Sequence, residues 1–162
     1  MRASMARLTP RLSAYRAVRE YTEHHYLPAA TAYLERADDK GAIGADSAKW
    51  RRELEKKWAA LGFGEVSDVT CGEQHVFEAE VHLGELEPEA VRVELYAEGV
   101  EGGAPVRQEM KRGRQLAGLP GGYVYAATVS AARAAKDYTA RLVPHRGGVA
   151  IPLEEPRILW QR

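Results

Sequence analysis

The 162-residue chain has one cysteine, Cys71, so it cannot form an internal disulfide bond. It also lacks an apolar run long enough to span a membrane, and its first twenty residues carry five arginines instead of the apolar core of a secretion signal. A chain of this length can bury a core without disulfides or metals, as one domain or as a small domain with a helical extension. These absences predict a soluble, cytoplasmic protein with no membrane partner.

An excess of charge of either sign is missing as well. The chain has 23 Lys and Arg against 23 Asp and Glu. Because binding to phosphate backbones requires a strong basic excess, the composition argues against nucleic acid as a partner. The charge is unevenly divided, with a net +4 in residues 1–62 and a net −4 in residues 63–162.

The sequence contains no nucleophile elbow, no phosphate-binding glycine loop and no dinucleotide fingerprint. The adjacent pair His24 and His25 is the most conspicuous candidate for a metal or catalytic site. Neighbouring positions on an α-helix point about 100° apart, so the pair cannot grip one ion from a regular helix. No HxxxH or CxxC spacing supports it. We therefore interpret both residues as exposed positions near a helix end, and we predict no metal site.

Two further candidate pairs are also better explained structurally. Cys71 and His75 could form a thiolate pair, but no third group to orient them is visible, which favours an ordinary thiol. Glu78 and Glu80 form a carboxylate pair that falls on the predicted solvent face of a strand. The sequence therefore predicts no catalytic residue in this chain.

Residues 1–62 are predicted to form a helical segment of two to three helices. Leu12, Tyr15, Val18 and Tyr21 recur at three- or four-residue spacing, and Leu27-Pro28 is expected to interrupt that helix. The stretch "ADDKGAIG" is expected to end a second helix, and Asp46 or Ser47 to cap a third. The face of the third helix is apolar, with Gly62 as its stop. That face consists of Trp50, Leu54, Trp58 and Leu61.

Residues 63–162 have the pattern of strands. In "HVFEAEVHL" and "AVRVELYAEG" apolar and polar residues alternate, which is typical of half-buried strands. Turn signals punctuate about seven such segments, so we predict an immunoglobulin-like β-sandwich and an α+β fold class overall. The other predicted strands cover residues 66–71, 106–111, 123–129, 138–143 and 158–161.

Aromatic residues give the remaining signals. Tyr138 follows Asp137 at a predicted strand start, the setting of a structural tyrosine corner. Tyr123 and Tyr125 share a face with apolar neighbours and are predicted to lie in the core. Tyr96 should point outward, where a ring can stack on a sugar, so it is the candidate carbohydrate-binding residue. Trp160 remains ambiguous between core and surface.

The segment "SMARLTPRLSAYRAVREYTEHHYLPAA" resembles the C-terminal helical region of α-glucan (glycogen/maltodextrin) phosphorylases of glycosyltransferase family 35. The resemblance rests on a Ser-x-x-Arg stretch that leads into Arg-Glu-Tyr, although Tyr15 and Ala17 replace the expected Asn and Met. The tail, from "VRVELYAEGV" to "RILWQR", resembles the extra β-domain of the bacterial, non-classical branch. The matching helical residues are Ser13, Arg16, Arg19, Glu20 and Tyr21.

The resemblance implies a parent enzyme that cleaves α-1,4-glucan with phosphate to give glucose 1-phosphate, using pyridoxal phosphate on a lysine. No lysine of this chain lies in the family's glycine-rich lysine motif, so the chain alone is expected to hold no cofactor and to be inactive. It is expected to be either a fragment or a separate gene product.

Three hypotheses about the role of the chain are compatible with this resemblance. The first is a non-catalytic C-terminal module that contributes packing, assembly or glucan contact. Its expected partners are the rest of the phosphorylase polypeptide or a second copy bound through the helical half, where Tyr15, Tyr21 and Tyr26 would form the docking surface. A free-standing carbohydrate-binding sandwich and a structural protein-interaction module are the alternatives.

Overall fold

The computed structural model describes residues 5–6, 8–9, 12–100 and 102–162. The chain divides into two compact units, which we call the helical unit (Met1–Lys49) and the sandwich unit (Trp50–Arg162). In the described part of the chain, helices are followed by two antiparallel sheets, which confirms the α+β fold class. None of the described helices combines the length and the apolar character of a membrane span.

Helix α1 spans Ala14–Tyr21 and begins where the Ser13 hydroxyl accepts a hydrogen bond from the Arg16 amide (3.2 Å). A π-helical turn, Thr22–Tyr26, leads directly into α2, Leu27–Trp58. The prediction that Leu27-Pro28 interrupts the helix is therefore wrong, because both residues lie within α2 and continue it from the π-helical turn. The wider turn accommodates the proline ring, which would clash with a carbonyl of the preceding α-helical turn.

Helix α2 is kinked at Asp38–Gly41, within the stretch predicted to end a helix. Asp39, Lys40 and Gly41 all have positive φ, between 48° and 79°, and the Asp38 carboxylate accepts a hydrogen bond from the Asp39 amide. The next helical stretch begins directly after this kink. Ser47 is therefore not a cap, and its hydroxyl donates to the Ile43 carbonyl from inside the helix (2.9 Å).

The sandwich unit contains two four-stranded sheets. All strand pairs are antiparallel. The strands of the first sheet are β1 (Gly62–Cys71), β2 (Gln74–His82), β6 (Gly122–Ser130) and β5 (Lys111–Gln115). Those of the second are β4 (Val106–Glu109), β3 (Val91–Ala97), β7 (Thr139–Pro144) and β8 (Leu159–Trp160).

The core lies between the two sheets, and the alternating residues fill it as predicted. Strand β2 contributes its apolar positions from one side and β3 from the other, while the polar positions between them face outward. Leu54 is buried, as the predicted helical face requires. The helix ends at Trp58, so the buried Leu61 lies beyond it and Gly62 begins a strand instead of stopping the helix. Buried strand residues include Phe77, Ala79, Val81, Val91, Val93, Leu95, Tyr125 and Ala127.

One predicted strand, 106–111, is two strands in different sheets. Strand β4 pairs with β3, whereas β5 pairs with β6. Met110 lies between them, is buried, and donates its amide to the Val93 carbonyl (2.8 Å). Because burial of Met110 anchors the crossing point, the chain passes from one sheet to the other there.

Candidate functional site

The candidate site lies on the outer face of the β4-β3-β7-β8 sheet. Since the odd-numbered residues of β3 face the core, its even-numbered residues face outward. The register aligns Glu94 of β3 with Arg141 of β7, and Arg141 with Trp160 of β8. It also places Arg107 of β4 opposite Tyr96. Residues far apart in sequence are thus brought into one cluster.

An ion pair occupies the centre of this face. The Arg141 Nε and Nη2 atoms both donate to Oε2 of Glu94, at 3.0 and 2.7 Å. The two side chains retain only 10% and 15% of their accessible surface. A charge pair with this little exposure depends on both partners, because removing one leaves the other desolvated. The pair therefore fixes the position of the Arg141 guanidinium.

Two aromatic rings surround that guanidinium. The Arg141 Cζ lies 4.4 Å from the Tyr96 ring centroid and 5.3 Å from that of Trp160, and the two rings meet edge to face. The Tyr96 hydroxyl donates to Glu98 (3.1 Å). Burial, followed by that hydrogen bond, raises the pKa of Tyr96 above 10.0. Tyr96 thus points outward, but it is half-buried within a cluster, while Trp160 is 39% exposed.

A cleft of about 450 Å³ opens beside this cluster. One wall is the sheet face and the other is the segment that follows β7. Four arginines and one glutamate, Glu94, contribute side chains to it. The arginines are Arg92, Arg107, Arg141 and Arg146. Sequence reasoning missed this cleft, although Arg92 shares the outward alternation of Tyr96 on β3.

His145 holds Arg92 in place at one side of the cleft. Nη2 of Arg92 lies 2.7 Å from Nε2 of His145, and the His145 Nδ1 lies 3.2 Å from the Glu89 carbonyl oxygen. Because a guanidinium can only donate, Nε2 must accept and the proton must reside on Nδ1, where it is donated to Glu89. The imidazole is therefore neutral in this arrangement, and it orients a cation without neutralising it.

The histidine pair His24 and His25 lies in the π-helical turn, not in a regular α-helix, and both side chains are exposed. The His25 ring lies 5.9 Å from that of Tyr21. Among the described residues, no three His, Cys, Asp or Glu side chains are arranged so that they could share a metal ion.

Cys71 and His75 are engaged separately. Cys71 is exposed at the end of β1, as its predicted position at a strand end requires. His75 is buried, with Nδ1 2.8 Å from the Thr70 hydroxyl and Nε2 2.9 Å from the Arg133 carbonyl oxygen. Both ring nitrogens are thus occupied by groups that stabilise the fold.

The carboxylate pair on β2 lies on the outward side of the strand. Glu78 is exposed, and Glu80 is half-buried with its carboxylate 3.4 Å from the Glu65 amide. Glu80 also lies close to Gly64, where an added Cβ would come within 2.8 Å of the carboxylate. Both contacts are made with the neighbouring strand β1, so Glu80 supports the pairing of the two strands.

A fully buried carboxylate, Glu155, was not predicted from the sequence. Its two oxygens each lie 2.8 Å from Nη1 of Arg157, and Arg51 approaches within 3.7 Å. Arg157 also contacts Glu55 (3.4 Å). This network ties the last turns of α2 to the C-terminal segment of the sandwich unit.

Comparison with known proteins relates residues 58–162 to the family model for the glycogen phosphorylase C-terminal domain. The chain belongs to this family. It is 30% identical over 120 residues to the glycogen phosphorylases of Mycobacterium tuberculosis (strain CDC 1551 / Oshkosh) and Mycobacterium bovis, over 68% of this chain. It is 31% identical over 123 residues to the maltodextrin phosphorylase of Thermococcus litoralis, over 73% of this chain. The chain spans 14% of the length of each of these curated relatives.

Proposed function

We propose that this chain is the non-catalytic C-terminal module of an α-glucan phosphorylase, whose parent reaction is phosphorolysis of α-1,4-glucan to glucose 1-phosphate. The observation that carries the proposal is the family match, which covers the whole β-sandwich from Trp58 onward. The order of helix and sandwich and the 14% span of the relatives support the same reading.

The lysines of the chain do not fit pyridoxal phosphate. A lysine that forms a Schiff base is activated in a desolvated pocket or beside another cation. Five of the six lysines are exposed, and the sixth, Lys57, is half-buried and donates to the Glu85 carbonyl oxygen (3.2 Å). We therefore assign the cofactor to the rest of the parent enzyme, and no catalytic step to this chain.

The assay for glucose 1-phosphate tests this assignment. The purified chain, supplied with maltodextrin, phosphate and pyridoxal phosphate, should release none. A turnover that depends on phosphate and is lost on heat denaturation of the chain would contradict the non-catalytic role.

The proposed partner is the rest of the phosphorylase polypeptide, which would dock on the apolar side chains of the helical unit. Tyr15 is 77% exposed, and Tyr21, Tyr26, Tyr33 and Leu34 are also more than half exposed. Exposed apolar side chains that are concentrated in one part of a protein are typical of an interaction surface. Because most of the relatives' length lies outside the segment that this chain matches, that part is the favoured occupant over a second copy.

A pull-down distinguishes these occupants. The tagged chain should retain a phosphorylase polypeptide from an extract of its source cells, and Leu34→Asp should abolish the retention. Leu153→Asp is the matched control, since Leu153 is an exposed leucine of the sandwich unit. Concentration-dependent dimers in analytical ultracentrifugation, lost in Leu34→Asp, would instead identify a second copy as the occupant and contradict the proposal.

A carbohydrate-binding role is the second candidate, because the Tyr96–Trp160 pair presents aromatic surface on the outer face of a sheet. Arg141 already lies over the Tyr96 ring, so a sugar would meet the more exposed Trp160 as well. In isothermal titration with maltoheptaose, this role requires binding that is lost in Tyr96→Ala and weakened in Trp160→Ala. No heat at millimolar maltoheptaose would reject it.

The proposal extends to the topology of the sandwich and to the location of the protein. An immunoglobulin-like arrangement is supported by the strand orders β1-β2-β6-β5 and β4-β3-β7-β8, which correspond to ABED and C′CFG. Tyr138, directly before β7 and 5.7 Å from the Phe77 ring, lies where a tyrosine corner is expected. The cytoplasmic location remains a prediction from the single, exposed Cys71.

A further inference from the structure

The cleft beside the Glu94–Arg141 pair concentrates positive charge in an acidic part of the chain. Residues 63–162 carry a net charge of −4, yet the cleft is lined by four arginines and a single glutamate. That glutamate is already neutralised by Arg141. The positive charge of Arg92 and Arg107 thus lies around one concave surface.

Two of these arginines have guanidinium groups available for a ligand. Arg92 and Arg107 are exposed, and neither forms an ion pair within the part of the chain that the structure describes. The hydrogen bond from Arg92 to His145 uses one of its five donors and holds the side chain in place. Pre-orientation of this kind lowers the entropy cost of binding an anion.

The segment that follows β7 forms the other wall of the cleft and contributes a third arginine and open space. The Arg146 guanidinium lies 5.6 Å from the Trp50 ring centroid, a stacking contact that fixes the side chain. Gly147 and Gly148 form the adjacent turn, and a Cβ added at either would meet no atom within 4 Å. The mouth of the cleft is therefore open beside the charged groups.

We propose that this cleft binds a small molecule bearing a phosphate group, with Arg92, Arg107 and Arg146 as its ligands. A planar guanidinium donates two parallel hydrogen bonds to a phosphate, which a lysine cannot do. The volume of about 450 Å³ lies in the range of small-molecule sites and exceeds the space that a bare phosphate ion fills. The inference goes beyond the proposed function and does not rest on it, because every residue involved belongs to this chain.

Titration of the full chain at low ionic strength tests the proposal, with inorganic phosphate and α-glucose 1-phosphate as the two probes. Binding would be followed by calorimetry and by NMR of the arginine Nε–H groups. Arg107→Gln and Arg92→Gln should each weaken binding about tenfold, because each loses a charge-assisted hydrogen bond. Arg114→Gln is the matched control: Arg114 is also exposed but lies on β5, in the other sheet.

A second variant tests the site without removing any of its contacts. Gly147→Glu places a carboxylate at the open mouth, where the fold has space for it, and should abolish binding. Equal affinity for the two probes would mean that the site recognises phosphate alone. Tighter binding of glucose 1-phosphate would mean that the site also contacts the sugar. Both outcomes support the proposal.

Three outcomes would overturn the proposal. The first is the absence of binding to either probe, and the second is an equal loss of affinity in Arg107→Gln and Arg114→Gln. The third is binding of polyglutamate without binding of either phosphate compound, which would identify the cleft as a surface for an acidic protein segment.

Discussion

The two units of the chain use apolar residues in opposite ways. In the sandwich unit the alternating residues of β2 and β3 are buried between two sheets. In the helical unit, side chains of the same type, such as Tyr15 and Leu34, are more than half exposed. Both units show a regular apolar periodicity in sequence. Periodicity therefore identifies the apolar face of an element, but not whether that face is buried within the chain.

The largest expected effect contrasts a leucine of each unit. Leu95→Ala should lower the free energy of unfolding by about 3 kcal/mol, because Leu95 is fully buried and its truncation leaves a cavity. Leu34→Ala should change it by less than about 0.5 kcal/mol, since that side chain is exposed. Urea unfolding followed by tryptophan fluorescence measures the sandwich unit, because all three tryptophans lie in it.

Circular dichroism at 222 nm would follow the helices in the same samples. If Leu34→Ala destabilises the chain as much as Leu95→Ala does, the helical unit has a packed partner within the isolated chain. The contrast between the two units would then be wrong.

An intermediate effect contrasts two ion pairs. Glu155→Gln should cost about 2–3 kcal/mol of stability, because it leaves Arg157 partly desolvated without its carboxylate. Glu20→Gln removes the Arg16–Glu20 pair of the helical unit, whose side chains are more than 40% exposed, and should cost less than about 0.5 kcal/mol. In the same urea experiment, tryptophan fluorescence measures the cost of Glu155→Gln and circular dichroism at 222 nm measures that of Glu20→Gln. Comparable losses of stability in the two variants would show that burial does not determine how much each ion pair contributes.

Much of the sandwich could be predicted from the sequence because its strands alternate cleanly. A strand with one buried face must place apolar residues at every second position, and β2 and β3 do so. The boundary between β4 and β5 could not be predicted in this way. Met110 fits an apolar position of a continuous strand, and its role as the crossing point between sheets depends on the long-range contact with Val93.

The candidate site shows the same division. The outward direction of Tyr96 follows from local alternation and was predicted. The arginine cleft was not, because Arg107 and Arg141 are 34 positions apart and meet only through the registers of β3 with β4 and of β3 with β7. Glu155 was missed for a similar reason, since the second of two adjacent glutamates before Pro156 gives no sequence signal that it will be buried.

The smallest expected effect concerns the alkaline limit of stability. Tyr125 is buried in the core of the sandwich unit, and this burial raises the pKa of its hydroxyl above 10.0. The folded state then holds the proton more tightly than the unfolded state, so the stabilisation is complete below pH 10 and is lost as the pH rises through the folded pKa. Tyr125→Phe should therefore show a shallower decline of unfolding free energy between pH 9.5 and about 11.5 than the unmodified chain.

Tyr33→Phe, at an exposed position of the helical unit, should retain the unmodified decline. Parallel declines in the unmodified chain and in Tyr125→Phe would show that water reaches the Tyr125 hydroxyl, and that the core of the sandwich unit is less closed than the contrast with the helical unit requires.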